Sequence, residues 1–217
     1  MKIKGKLLFI GVFFVILGII LACDSYASED TTKKLYQDIT INSDGSITVK
    51  EAAVLSGEYN GRSREIKFKN SNALTFTGIY SNFAGNTDIY DGTDIINIKV
   101  YDISQSNFNS IEDINKIEKE YKEVDSASNG KYGVYTLDKY STEADFKIYC
   151  PSKKQKVFCM EYTIKNAVVI HNDVAELYWN LIGTNYREDI EDFQAKIHLP
   201  GKDTDLRVWT HGPLSRN

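Results

Sequence analysis

Short segments of alternating apolar and polar residues, separated by turn-forming residues, constrain the fold of this chain most strongly. Residues 36–55 contain two such segments, one centred on Ile39 and one on Val49. Asp44-Gly45 lies between them, and an Asp-Gly pair favours the positive φ angles of a tight hairpin turn. Residues 36–55 are therefore predicted to form a β-hairpin.

Similar segments recur through the rest of the chain. The 14 tyrosines and the many Ile and Val residues also favour strands. We expect further strands in residues 66–68, 74–83, 95–101, 132–137, 145–150, 156–170, 193–199 and 205–210, the last two forming a hairpin over residues 192–210. The predicted fold class is mainly β, with β-sandwich-like antiparallel sheets and one or two short accessory helices.

Two segments carry a helical signal. Across residues 110–124 apolar residues recur at helical spacing, with Ser110 as a candidate N-cap and Asp113 near the capping-box position. This pattern predicts an amphipathic helix that packs on its own domain. Residues 173–181 are predicted to form a second, short helix that begins near Asp173.

The N-terminus predicts export. Three lysines in the first six residues precede an apolar run at residues 7–22. This run is shorter than the roughly 20 residues that a spanning helix needs. Small residues around Ala27 favour cleavage of residues 1–27 as a signal peptide. Two alternatives stay open: lipidation of Cys23 in a lipobox-like context, and retention of the segment as a membrane anchor.

The rest of the chain is predicted to lie outside the cytoplasmic membrane. A polar lead-in at residues 28–35 precedes one β-rich domain at residues 36–213 and a tail at residues 214–217. A hydrophobic content of 42% and an aromatic content of 12% argue against disorder. The net charge of −4 and the lack of a basic stretch argue against a nucleic-acid partner. The sequence has no Gly-rich phosphate loop or HExxH motif, and we predict no cofactor and no metal site.

Two cysteines raise the question of a disulfide, because the chain is predicted to be exported. If residues 145–150 and 156–164 pair as a hairpin with matched apolar faces, Cys150 and Cys159 lie on opposite sides of it. A Cys150–Cys159 disulfide therefore stays open only as the less favoured alternative.

Arg62 and Arg64 are candidates for anion binding. They lie in residues 57–69, a segment with two glycines that we predict to be a loop leading into a short strand. The alternative is that both arginines pair with surface carboxylates, which are frequent in a chain with 30 acidic residues.

A second candidate cluster consists of His171, Asp173 and Glu176, close to Trp179. It lacks the histidine spacing of a metal site, and nothing in the pattern predicts the desolvation that acid–base catalysis requires. We therefore favour a helix-capping role for Asp173 and a favourable helix-dipole contact for Glu176. Trp179 is a candidate stacking surface for a ligand or, alternatively, a core residue. No catalytic residue is predicted.

Several segments resemble, in the same order, motifs of one bacterial family. Residues 176–183, ELYWNLIG, are similar to its ELYWNVIG signature. The other similar segments are residues 44–51 (DGSITVKE), 61–66 (GRSREI), 158–169 (FCMEYTIKNAVV), 197–200 (IHLP) and 206–213 (LRVWTHGP). On these motifs the chain resembles the predicted membrane proteins of domain of unknown function 2207, also described as YciQ-like.

The resemblance implies a signal peptide, an extracytoplasmic β-sandwich-like region and transmembrane helices after it. Because the sequence shows no second apolar run, we expect those helices to be missing from this chain. The family offers no catalytic residues to carry over.

We therefore expect an exported, membrane-associated module that binds a protein or cell-wall component on the outer face of the cell membrane. The membrane contact would come from the N-terminal segment or from the missing C-terminal helices. One alternative is an envelope hydrolase that uses His171, Asp173 and Glu176, which predicts that these side chains share a pocket beside Trp179. Another is a structural spacer in a membrane assembly.

Overall fold

The hairpin predicted for residues 36–55 is present and begins the fold. A computed structural model of the chain describes residues 31–69, 92–152, 156–170, 174–183, 186, 189–201 and 205–208. Strand β1 (Thr32–Ile41) pairs antiparallel with strand β2 (Ile47–Leu55). Between them Gly45 adopts a φ of 80°, and the Asp44 carboxylate accepts a hydrogen bond from the backbone N–H of Ser46.

The remaining described strands have between two and eleven residues. They are β3 (Gly61–Lys67), β4 (Asp94–Ser104), β5 (Lys119–Glu120), β6 (Lys122–Glu123), β7 (Val134–Lys139), β8 (Glu143–Tyr149), β9 (Lys156–Lys165), β10 (Val168–Ile170), β11 (Ala175–Leu177) and β12 (Phe193–His198). Two short 3-10 helices, Gln105–Asn107 and Ile111–Asn115, follow β4. The predicted strand at residues 74–83 lies outside the described residues.

The strands form two larger sheets and one small one. The first sheet has the order β12-β1-β2-β9-β4-β5, and the second has the order β3-β8-β7-β6. Strands β10 and β11 form a separate antiparallel pair. Most neighbours are antiparallel, but β12 pairs parallel with β1 and β6 pairs parallel with β7. The prediction of a mainly β fold is confirmed.

Two hydrophobic clusters hold these sheets. The larger one joins the two big sheets, because it combines Val49 and Tyr162 of the first sheet with Ile66 and Phe146 of the second. The smaller one covers the opposite face of the first sheet, where Ile111 of the second 3-10 helix and its neighbours pack. The six-stranded sheet is therefore buried on both faces, which explains why seven of the ten residues of β9 are buried.

The helix predicted for residues 110–124 is wrong. The capping box between Ser110 and Asp113 does form, but it begins a 3-10 helix that ends at Asn115. Ile114 packs in the smaller cluster and Tyr121 in the larger one, whereas Ile117 is 49% exposed. The helical spacing thus arose from residues that belong to two different cores.

Three further predictions of secondary structure or strand pairing are wrong. Residues 175–177, expected in a short helix, form strand β11 against β10, while residues 171–173 lie outside the described part. Strand β12 does not form the expected hairpin with residues 205–208, which are not a strand, and instead joins the edge of β1. Strand β1 also starts at Thr32, within the predicted polar lead-in, because Leu35 is fully buried.

Strands β8 and β9 do not form the hairpin that we expected, because they belong to different sheets. Cys150 and Cys159 are buried thiols and are not joined as a disulfide. Cys150 packs in the larger cluster and Cys159 in the smaller one, on opposite faces of the six-stranded sheet. Among the residues that the structure describes, no helix is long and apolar enough to cross a bilayer.

Candidate functional site

A buried carboxylate lies at the centre of the site. Glu51 follows Ile47 and Val49 on the face of β2 that is directed at the second sheet, and its side chain is 0% exposed. An ionised carboxylate at such a position is stable only when it is paired and hydrogen-bonded. Its partners come from strand β3 of the opposite sheet and from the neighbouring strand β1.

Strand β3 supplies two arginines to this carboxylate. Arg62 and Arg64 occupy alternate positions of β3 and share its buried face with Ile66. Arg62 donates from Nη2 to Oε1 of Glu51 at 2.8 Å. Arg64 donates to both carboxylate oxygens, from Nε at 3.0 and 3.1 Å and from Nη2 at 2.7 Å. The two sheets are thus joined through a forked, charge-assisted contact inside the molecule.

Backbone carbonyls close the other side of the cluster. Gln37 of β1 donates from Nε2 to Glu51 at 2.8 Å and to the carbonyl oxygen of Leu181 at 2.7 Å. Arg64 donates from Nη1 to the carbonyl oxygen of Ile182 at 3.2 Å. The β11–β12 connection is therefore held in place by the same groups that satisfy the buried carboxylate.

The charges of the cluster fix the protonation state of Glu51. Burial alone would raise the pKa of Glu51, but the positive charges of Arg64 and Arg62 and the hydrogen bonds from Arg64 and Gln37 outweigh that effect. The pKa of Glu51 falls from 4.5 to about 2. Burial likewise disfavours the charged form of Arg64, but the charge of Glu51 raises its pKa. Glu51 thus stays ionised at neutral pH.

Glycine is required where the β11–β12 connection meets the arginines. Gly183 adopts a φ of 77°, and a Cβ atom there would lie 2.9 Å from Nη1 of Arg64. Asn180 accepts a hydrogen bond from the backbone N–H of Gly183 at 3.2 Å and holds this turn. A side chain at this position would be strained and would displace the guanidinium group.

A cavity of about 230 Å³ lies beside β3. One wall consists of residues 62–67, and the other consists of Trp179, Asn180, Gly183 and Tyr186. The Tyr186 ring centroid lies 5.8 Å from the Arg64 guanidinium carbon, and its hydroxyl lies 2.6 Å from that of Thr32. The cavity therefore combines guanidinium groups with aromatic surface, a combination that suits recognition of anionic and planar groups.

Three buried polar atoms in or next to the cluster have no hydrogen-bond partner within the described part of the chain. They are Nη1 of Arg62, Oε1 of Gln37 and the hydroxyl of Tyr162. Tyr162 belongs to the same environment, since it interacts electrostatically with Glu51 and Arg64. The cluster thus retains unused hydrogen-bonding capacity, and of these three residues Arg62 lines the cavity.

The structure places some of the predicted site residues at the cavity and others away from it. Arg62 and Arg64 lie within β3, not in a loop, and they pair with buried Glu51 in place of surface carboxylates. Trp179 lines the cavity and also packs against the larger core cluster. Glu176 is exposed on β11, opposite Val169, and is not part of the cavity wall. His171, Asp173 and Cys23 lie outside the described residues.

Three residues of the candidate site were missed by the sequence analysis: Gln37, Glu51 and Tyr186. Glu51 left a signal, because it is a carboxylate at the position where the alternation of Ile47 and Val49 requires an inward-facing residue. Gln37 and Tyr186 left none, since their roles depend on which strands become neighbours.

The segments that carried the family resemblance meet at this site. Residues 44–51 end in the buried carboxylate, residues 61–66 contain both arginines, and residues 176–183 supply the carbonyls and the glycine. Within the described ranges, no group of three or more His, Cys, Asp or Glu side chains is placed to hold a metal ion.

Comparison with known proteins agrees with this convergence. A search of curated proteins found no match. The model of one family, described as "Predicted membrane protein (DUF2207) N-terminal domain", matches residues 32–217. The chain therefore belongs to the DUF2207 family of predicted membrane proteins, with residues 32–217 matching the N-terminal domain of that family.

Proposed function

We propose that this chain is a non-enzymatic, exported β-sandwich module that binds a protein or cell-wall component outside the cytoplasmic membrane. The observation that carries the proposal is the cavity beside β3, in which arginine and aromatic side chains face one another. Arginine and aromatic residues are the side chains that most often dominate recognition surfaces. The family description as a predicted membrane protein and the export signal predicted from the sequence support this location.

The electrostatics of the cluster favour binding over proton transfer. A general acid or base works best when its pKa lies near the working pH. The pKa of Glu51 is about 2, because two arginines hold its carboxylate in the ionised form. This carboxylate therefore positions Arg62 and Arg64 and does not exchange protons with a substrate at neutral pH.

The location is tested by labelling an exposed position in intact cells. Lys147 of β8 is exposed, so a cysteine placed there is expected to react with a membrane-impermeant maleimide before lysis. Reaction only after the cells are broken would contradict an extracytoplasmic location. A cytoplasmic protein with an exposed cysteine serves as the control for membrane integrity, because it should be labelled only after lysis.

Binding is tested by blocking the cavity in the full chain. Ser63 is exposed on β3 and belongs to the cavity wall, so Ser63→Tyr is expected to obstruct the cavity from its solvent-exposed side without disturbing the core. Lys147→Tyr is the matched control, because Lys147 is the exposed cross-strand neighbour of Ser63 and is not part of that wall. Envelope components that are cross-linked to the wild type in intact membranes should be lost from the Ser63 variant alone. Equal recovery from both variants would refute a role for the cavity.

A further inference from the structure

Among the described residues, the cavity wall carries one positive charge without a matching negative charge. Lys67 and Glu65 form an ion pair at 3.3 Å and cancel each other. Arg62 and Arg64 share a single carboxylate, that of Glu51, so two positive charges face one negative charge. Because both arginine side chains are at most 6% exposed, water screens this excess charge only weakly.

The excess charge coincides with an unused donor. A guanidinium group carries five N–H donors in a fixed plane. Arg62 uses Nη2 for Glu51, whereas Nη1 is buried and has no hydrogen-bond partner among the residues that the structure describes. Leaving a buried charged donor unsatisfied is costly, and an acceptor that reaches it recovers that cost. Arg62 itself belongs to the cavity wall, which brings its guanidinium group into the surroundings of a ligand in the cavity.

The charge balance selects the kind of anion. A carboxylate carries one negative charge, which equals the excess positive charge of the wall. A phosphate group carries about 1.5 to 2 negative charges at neutral pH and would leave the site negative. The aromatic surfaces of Trp179 and Tyr186 provide contact for the apolar atoms that accompany an organic carboxylate.

We propose that the cavity beside β3 binds a single carboxylate group of a protein partner, with Arg62 and Arg64 as its cationic recognition residues. This inference rests on the proposed function and specifies the chemistry of its ligand. The carboxylate can belong to an acidic side chain or to the C-terminus of a peptide, and both sources present the same planar group.

Small probes distinguish these sources in the full chain in detergent micelles. The chain has two tryptophans, so Trp209→Phe leaves Trp179 in the cavity wall as the only indole reporter. The probes are N-acetyl-glutamate N-methylamide, N-acetyl-alanine, the neutral N-acetyl-glutamine N-methylamide, and inorganic phosphate. We expect at least one of the two carboxylates to bind about tenfold more tightly than the neutral amide and phosphate. Equal binding of the neutral amide, or equally tight binding of phosphate, would overturn the proposal.

Variants connect this binding to the arginines. Arg62→Lys keeps the charge but lacks the planar second donor, so carboxylate binding is expected to weaken about tenfold. Ser63→Tyr should abolish binding and Lys147→Tyr should leave it unchanged. If Arg62→Lys does not fold, as judged by circular dichroism, carboxylate binding by Ser63→Tyr and by Lys147→Tyr is compared to test the proposal. Unchanged carboxylate binding in Ser63→Tyr would overturn the proposal.

Failure of this inference is distinguishable from failure of the proposed function. In one outcome, the carboxylate probes bind no more tightly than the neutral amide and phosphate, while Ser63→Tyr still loses the cross-linked envelope component. In that case the module binds its partner through a group other than a carboxylate. If neither Ser63→Tyr nor Lys147→Tyr changes cross-linking, the cavity is not the binding site.

Discussion

Replacing Glu51 with Gln tests the buried cluster most directly. The amide keeps the shape of the side chain and imitates a protonated carboxyl group, so both buried arginines lose their counter-charge. The pKa of Glu51 lies at about 2 in the folded chain, against 4.5 without the fold. This difference of about 2.5 corresponds to about 3 kcal/mol of folding free energy at neutral pH. Loss of one partner from a buried ion pair costs a similar amount, about 3–5 kcal/mol.

The stability difference between wild type and Glu51→Gln should depend on pH. Because the folded pKa of Glu51 is depressed, its contribution is complete above pH 4.5 and is lost as the pH falls towards 2. At pH 3 the wild type should have lost about 2 kcal/mol of this contribution. The stability difference between wild type and Glu51→Gln should therefore shrink from about 3 kcal/mol at pH 7 to about 1 kcal/mol at pH 3.

Urea denaturation of both proteins, followed by tryptophan fluorescence at pH 7, 4.5 and 3, measures this difference. Glu191→Gln is the matched control, since Glu191 forms an exposed ion pair with Lys33 and its loss should cost less than about 0.5 kcal/mol. A cost of less than about 1 kcal/mol for Glu51→Gln at pH 7 would refute the reasoning. So would a difference that stays constant down to pH 3.

Three further predictions concern the same core. Arg64→Lys keeps the charge but removes the forked contact, so we expect a loss of about 2 kcal/mol in urea denaturation with an unchanged m value. Gly183→Ala should cost about 1–3 kcal/mol in the same assay, whereas Gly201→Ala, with no atom within 4 Å of its added Cβ, should be nearly neutral. Cys150 and Cys159 are buried, so neither should react with maleimide in the folded chain, as read by peptide mass spectrometry; rapid labelling of either would contradict their burial.

Local sequence patterns predicted the elements whose partners are close along the chain. The hairpin of β1 and β2 follows from apolar alternation around Asp44-Gly45, and the turn chemistry alone sets its register. The capping box at Ser110 was also correct, because it depends on residues only three positions apart. In these cases the stabilising contacts lie within the pattern that predicts them.

Long-range pairing was not predictable from alternation. The alternating residues of β12 indicate a strand, but they do not show that its neighbour is β1, about 160 residues earlier. Likewise, the arginines of β3 were recognisable as candidates, whereas their pairing with Glu51 required the two sheets to be placed face to face. Buried ion pairs between sheets are therefore a weak point of single-sequence analysis.

The parallel pairing of β1 with β12 has a mechanical consequence. Their register runs from Leu35 opposite Phe193 to Thr40 opposite His198, and Nε2 of His198 lies 2.6 Å from Oδ1 of Asp38 near the end of this ladder. A tension applied through the residues before β1 and after β12 pulls the two strands past each other along their length. The hydrogen bonds of a parallel ladder then carry the load together, in shear, and do not open one at a time as in a hairpin pulled apart from its ends.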